Sequence, residues 1–280
     1  MNNSDSDMIE AITKTDILTK LDKLNVPDNL IFLCYRGSIS HNTYVPNTDP
    51  NSVDDIDLMG VFLSPPEYYI GLSQHKLDNP TTVEIIQEVD GILLDCVFYE
   101  LRHFISMALK SNPNVFSALW VKPEHHILVD EQFKPYLDNR KIFLSKDQIY
   151  KSFTGYANGQ LKRMTHYDKK GYMGEKRKRL VEKFGYDCKN ASHLIRLLHM
   201  GIEALQTGEV KVFRDVDADM LIKIKLGEWK LDDVKIYADE LFNQAKEAYE
   251  KSTLPENPDT ELAEIMLMQI LYMYIARSIV

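Results

Sequence analysis

Asp55 and Asp57 stand one residue apart at the head of "DDIDLMGVFLS", an apolar run that Pro65-Pro66 stops. The run reads as a strand. In a strand, residues i and i+2 point to the same face. The two carboxylates therefore lie side by side, with Ile56 facing the other way. Like charges that close repel unless something positive sits between them. The chain must fold so that the mouth of this strand meets a cation or a basic group.

The surrounding pattern narrows the choice. "LIFLCYRGS" predicts a buried strand ending at Gly37-Ser38. Gly37 lets the backbone approach a phosphate closely. The Ser38 hydroxyl and the adjacent amides can bind phosphate, above all if a short helix begins there. A third acid, Asp95, lies inside the apolar run "ILLDCVF". An ionised Asp there is costly unless a partner compensates it. Glu88 and Asp90 border a turn and are weaker alternatives. Hard divalent cations such as Mg²⁺ take oxygen ligands and keep positions for water and phosphate. Two such ions about 4 Å apart can clamp the attacking and leaving oxygens of a phosphoryl displacement.

The first half of the chain reads as mixed α/β. A helix over roughly Asp7 to Leu24 precedes the first strand, and "IDLMGVFLS" is the second. "TTVEIIQEV" and "ILLDCVFY" predict a third and a fourth strand around Asp90-Gly91. "YELRHFISMALK" has helical spacing, and "NPNVFSALW" restarts a helix with Asn112 as cap and Pro113 at its first position. After about Phe143 the pattern is helical. "SKDQIYKSFTGYANGQLKRMTHY" starts at a capping serine, and "KNASHLIRLLHMGIEALQTGE" closes at Gly208. Three further helical segments complete the chain, the last amphipathic enough to pack on a core. The expected class is α+β: a mixed-sheet α/β domain over 1–140 and a helical domain over 141–280.

Charge and composition exclude several classes. The apolar fraction, 44%, is that of a globular protein with a real core. No apolar run approaches the roughly 18 residues that span a bilayer, so no membrane partner is expected. The polar, acidic start "MNNSDSDMIEAITKTD" is no signal peptide. Cys34, Cys96 and Cys188 lie far apart with no CxxC spacing, which reads as reduced thiols in a cytoplasmic protein. The net charge of −9 argues against broad nucleic-acid binding. From Leu161 to Asn190, however, ten Lys or Arg face four acids. That stretch fits a local anionic ligand, or a solvated helix face.

Gly-Ser, then D-x-D, then a distal carboxylate is the motif of the DNA polymerase β-type nucleotidyltransferase superfamily. The chain resembles its bacterial and phage "predicted nucleotidyltransferase" family. The likeness runs through "RGSISHNT", "DDIDLMGVFLSP", "YELRHFISMALKSNPNVFSALW", "YANGQLKRM" and "YDCKNASHLIRLLHMGIEALQTGEVKV". It implies that Gly37 and Ser38 bind phosphate. It implies further that Asp55 and Asp57 hold a catalytic metal, Mg²⁺ or Mn²⁺, with Asp95 as third carboxylate. Asn42 stands where the family has Gly, and Asn tolerates a left-handed backbone better than most residues. The loop before Asp55 is lengthened by "VPNTDPNS".

Lys189, His193 and Arg196 fall at i, i+4 and i+7, one face of a helix. Such a face could grip a triphosphate or an acceptor, and Lys162 and Arg163 could do likewise. His41 reads as a loop residue rather than a base. The implied reaction moves a nucleoside monophosphate from a nucleoside triphosphate to a hydroxyl, with pyrophosphate leaving. Acceptors consistent with the sequence are an RNA 3′ end such as tRNA, a protein side chain, or a small molecule. The rival of another class is a non-catalytic nucleotide- or partner-binding module on the same fold.

Overall fold

The computed structural model describes residues 14–46, 48–72, 79–165 and 174–279. The expected helix over Asp7–Leu24 is α1, Lys14–Leu21, and its predicted first residues lie outside the described ones. Strands β1 (Leu30–Tyr35), β2 (Ile56–Phe62), β3 (Thr82–Val89) and β4 (Ile92–Glu100) form where the apolar runs predict them. A fifth strand, β5 (His126–Val129), was not expected. It is short and half-buried, too brief for a period to show.

The five strands form one mixed sheet in the order β3-β4-β2-β1-β5. β2 and β4 are parallel, and every other pairing is antiparallel. The β3–β4 hairpin turns at Asp90-Gly91, with φ of 51° and 78°. Two consecutive left-handed residues are what a two-residue hairpin loop requires.

Alternation along the strands decides what each face meets. Leu33, Tyr35, Ile56, Leu58, Leu94, Cys96 and Phe98 pack with Ile17 and Leu21 of α1. Phe32, Cys34, Met59, Val61 and Val97 join the larger core on the opposite face. Asp57 and Asp95 share the parity of Met59 and Val97, so both carboxylates face the side covered by helices.

That side is built by α4 (Leu101–Ala108), α5 (Pro113–Ala118), α7 (Lys146–Thr165) and α9 (Cys188–Thr207). Short helices are α2 (Gly37–Ser40) and α3 (Pro66–Ile70), before α4, and α6 (Lys134–Asp138), between α5 and α7. The rest are α8 (Glu175–Phe184), α10 (Ala218–Lys225), α11 (Leu231–Lys251) and α12 (Thr260–Ile279). Several ends form as their residues predict. Asn112 accepts from the Asn114 amide at 3.1 Å, with Pro113 in the first turn of α5. Ser145 Oγ accepts from the Gln148 amide at 3.2 Å ahead of α7. Gly208 ends α9 at φ 68°. α9 is the central helix, and its buried residues Leu194, Ile195, Leu198 and Met200 touch the same core as Phe32 and Phe104. One apolar core thus runs from the sheet into the helices, across residue 140. α12 packs Ala263, Met266 and Ile270 inward but leaves Met268 and Tyr272 exposed, so it is apolar on more than its packed face.

Candidate active site

β1 ends at Tyr35, and the chain turns through Arg36 into α2. The Arg36 amide donates to the Asp57 carbonyl at 2.9 Å, which fastens the turn to β2. Gly37 takes φ +61°, and a Cβ there would overlap Asp57 Oδ2. Only glycine lets the turn lie this close to the carboxylate. The turn closes with the Thr43 amide on the Ser38 carbonyl at 2.9 Å. Asn42 adopts φ 58°, the left-handed conformation its place in the loop demands. The Ser38 hydroxyl is buried and has no hydrogen-bond partner among the described residues.

Asp57 and Asp95 face each other directly in the parallel β2–β4 register. Arg36 joins them. Its Nη2 lies 2.7 Å from Asp95 Oδ1 and 3.5 Å from Asp57 Oδ1, and its Nε donates to the Leu58 carbonyl at 3.1 Å. This guanidinium is the positive partner of Asp57 in the D-x-D pair, while Lys189 meets Asp55. Burial alone would lower its pKa, but Asp57 and Asp95 reverse this and hold it above the usual value. Asp57 still pays for its position. Burial, together with Asp55 and Asp95 and against the pull of Arg36 and Lys189, pushes its carboxyl up to about 6.

The three adjacent acids separate into two kinds. Asp54 is fully buried, accepts from the Val45 amide at 2.9 Å and pairs with Lys225 Nζ at 2.5 Å. It holds the loop before β2 in place. Asp55 is partly open, with Lys189 Nζ at 3.8 Å, and the same Lys189 lies 3.7 Å from Asp54.

A cleft of about 470 Å³ opens beside this strand end. Gly37, Ser38, Asp57, Lys189, His193 and Arg196 line it, so the turn and the α9 face meet across one space. Asp55 and Asp95 sit next to the cleft rather than in its lining, Asp95 behind Arg36. Lys189 is already engaged by carboxylates, whereas Arg196 makes no ion pair among the described residues. Burial and the nearby Arg214 lower the Arg196 pKa, while Asp57 opposes them. His193 is held neutral, its pKa well below 6.5, by burial and by Arg196 and Lys189. His41 is a loop residue as expected. It is buried, and its Nδ1 meets the Val212 carbonyl at 2.9 Å. Glu88 and Asp90 are remote from the site, Asp90 being paired with Lys20 and Lys23 at the hairpin tip.

The donor set suits a hard divalent cation. It is all carboxylate oxygen, on one face of two paired strands. Among the described residues no three or more His, Cys, Asp or Glu close into a cage around an ion. An ion bound here would complete its shell with phosphate and water, the preference of Mg²⁺.

The sequence matches, over residues 13–269, the RlaP family, described as an RNA repair pathway DNA polymerase beta family. The chain belongs to that family. It is therefore a nucleotidyltransferase, of a family tied to RNA repair. No curated protein matches the chain. Among solved structures, a nucleotidyltransferase-like protein from Exiguobacterium sibiricum is similar at 7% identity and a TM-score of 0.33. That match covers 85% of this chain and 74% of the other.

Arg36 is the site residue that the spacing arguments missed. The available signal was a cation directly before Gly37-Ser38, at the end of the strand beside the D-x-D strand. The basic stretch also resolves into parts. Lys176 Nζ donates to the Asp49 carbonyl at 2.9 Å and Lys183 Nζ to Asn51 Oδ1 at 2.9 Å, so α8 fastens the lengthened loop. Arg177 pairs with buried Asp187 at 2.8 Å and is structural. Lys169 and Lys170 lie outside the described residues. No described helix is long and apolar enough to cross a membrane.

Proposed function

We propose that the protein moves a nucleoside monophosphate from a nucleoside triphosphate, ATP included, to the 3′ hydroxyl of an RNA such as tRNA, in the cytoplasm. The observation that carries this reading is the register of Asp57 opposite Asp95 beside the Gly37-Ser38 turn, with Arg196 unpaired across the same cleft. Residues 1–140 act as the palm-like nucleotidyltransferase unit and residues 141–280 as the helical unit that completes the cleft.

Ser38, through its unpartnered hydroxyl, and Arg196 bind the triphosphate. Lys189 and His193 line its path, His193 as a neutral donor or acceptor. Asp55, Asp57 and Asp95 would hold Mg²⁺ or Mn²⁺, which supplies positive charge against the triphosphate and the departing pyrophosphate. The acceptor oxygen bonds to the α-phosphorus as the bond to the bridging oxygen breaks, and that electron pair leaves with pyrophosphate. The hydroxyl proton passes to Asp95 through Oδ2, the Arg36 hydrogen bond being to Oδ1. Positioning and electrostatics carry most of the catalysis, as in other phosphoryl transfers.

The test is incubation with each α-labelled triphosphate, a divalent cation, and either total RNA or RNA-free lysate. Label entering RNA in a pyrophosphate-releasing reaction supports the proposal. Label entering protein or a small molecule, with RNA left unlabelled, rejects the acceptor.

A further inference from the structure

One wall of the cleft carries features that phosphate binding does not use. Along α7, Tyr156, Gln160 and Arg163 line the space at i, i+4 and i+7, with Gly155 and Gly159 beside them. Glycine inside a helix is unfavourable relative to alanine. Packing does not require it here, because a Cβ on either glycine would meet nothing within 4 Å. The glycines leave open room at the cleft wall. Gln160 contributes the second feature. Its Oε1 is buried and has no hydrogen-bond partner among the described residues. The third is Tyr156, a residue 38% exposed, whose hydroxyl is held by Asn112 Nδ2 at 2.8 Å.

A fixed aromatic face, flat room beside it and an unpartnered buried carbonyl are together what a nucleobase uses. A base offers a π-face that stacks on aromatic side chains regardless of sequence. Its edge offers N–H donors to an amide oxygen. We propose that this wall is the slot for the base of the incoming nucleoside triphosphate, with Tyr156 stacking on the ring and Gln160 accepting an N–H from its edge. The proposal rests on the nucleotidyltransferase reading above. Phosphates bound between Ser38 and Arg196 share the 470 Å³ cleft with α7, so the base of the same molecule reaches this wall.

Calorimetric titration of the full chain with ATP, CTP, GTP, UTP and inorganic tripolyphosphate tests it. In the wild type, at least one nucleoside triphosphate should bind tighter than tripolyphosphate. Gly159→Leu, which fills the open room, should weaken that nucleotide at least tenfold and leave tripolyphosphate unchanged. Its melting temperature should not fall, since leucine is the better helix former. Tyr156→Ala, at an exposed position, should show the same split should the leucine variant fold poorly. Gln160→Met should narrow the differences among the four nucleotides. Nucleotide affinity unchanged in both Gly159→Leu and Tyr156→Ala overturns the slot, as does an equal loss of nucleotide and tripolyphosphate. Wild-type protein that binds tripolyphosphate as tightly as every nucleotide overturns the slot alone. Wild-type protein that binds neither overturns the underlying function with it.

Discussion

Arg36 reaches across β2 to Asp95, its Nη2 2.7 Å from Oδ1, and so ties the residue before the Gly37-Ser38 turn to a strand far along the chain. The pair is about three-quarters buried on both sides, so losing one partner leaves the other desolvated. Arg36→Met should lower the stability of the metal-free protein at neutral pH by about 2 kcal/mol, less than the roughly 3–5 kcal/mol of a fully buried pair because this one is partly exposed. A divalent cation should then stabilise the variant more than it stabilises the wild type, because the carboxylates have lost their internal counter-charge. Chemical denaturation with and without Mg²⁺ checks this. Equal Mg²⁺ effects on both proteins would show that Arg36 and the metal do not share a site.

Asp57 gives the opposite sign. Its folded pKa is about 6 against an ordinary 3.8, so between those values the folded protein holds a proton that the unfolded chain has lost. Stability therefore falls as pH rises through that window. The gap corresponds to about 3 kcal/mol at pH 7. Asp57→Asn should remove most turnover and yet make the metal-free protein more stable at pH 7, with little difference at pH 4. Denaturation midpoints at the two pH values measure it. A variant less stable than wild type at pH 7 would contradict the burial argument.

Much of this site could be read before any coordinates, and the reason is local. Gly37-Ser38 marks a tight turn at the end of β1, Asp57 falls on the strand face that its parity predicts, and the shared face of Lys189, His193 and Arg196 follows from helical period alone. What escaped depends on distance in sequence. Nothing near Arg36 says that its guanidinium will lie between Asp57 and Asp95, because that requires the β2–β4 register. The division of labour between Asp54 and Asp55 was hidden for the same reason, since Lys225 arrives from α10 to neutralise only the first. β5 escaped because a four-residue edge strand starting at a histidine carries almost no periodic signal. The basic stretch looked uniform in sequence, and only tertiary contacts separate Arg177 from its neighbours.

Gly37→Ala should be among the most damaging small changes. The added methyl would overlap the Asp57 carboxylate, and the backbone holds φ +61°. Relieving both strains moves either the turn or the Asp57 side chain. Turnover should fall by about 10²-fold, since displacements on the order of 1 Å cost that much in positioned chemistry. Steady-state kinetics decides it, and a near-wild-type rate would mean that the turn and Asp57 are not held against each other.

Arg196 faces the cleft without an ion pair among the described residues, near Arg214. Arg196→Ala should weaken triphosphate binding by about 1–3 kcal/mol, the range for hydrogen bonds to charged groups. It should leave folding stability unchanged or slightly higher, because an uncompensated cation has gone. Titration calorimetry and a melting curve on the same sample separate the two effects. Intact binding with lost stability would make Arg196 structural.

Salt dependence separates an RNA acceptor from the others. Lysines and arginines that neutralise phosphates release counterions, so RNA affinity should fall with a log–log slope near −0.7 per contact on a single strand. The groups to change are those free of the fold. Arg177 is unsuitable because it pairs with buried Asp187, and Lys176 and Lys183 hold the loop before β2. Among the described residues Lys178 pairs with exposed Glu175, and Arg179 is exposed. Lys178→Glu with Arg179→Glu should flatten the slope by roughly 1.4 if each side chain meets one phosphate. Triphosphate binding should stay as it was, since neither side chain lines the cleft. A wild-type affinity for RNA that barely changes between about 50 and 200 mM salt would show that few phosphates are neutralised. The 3′-end acceptor would then have to be abandoned.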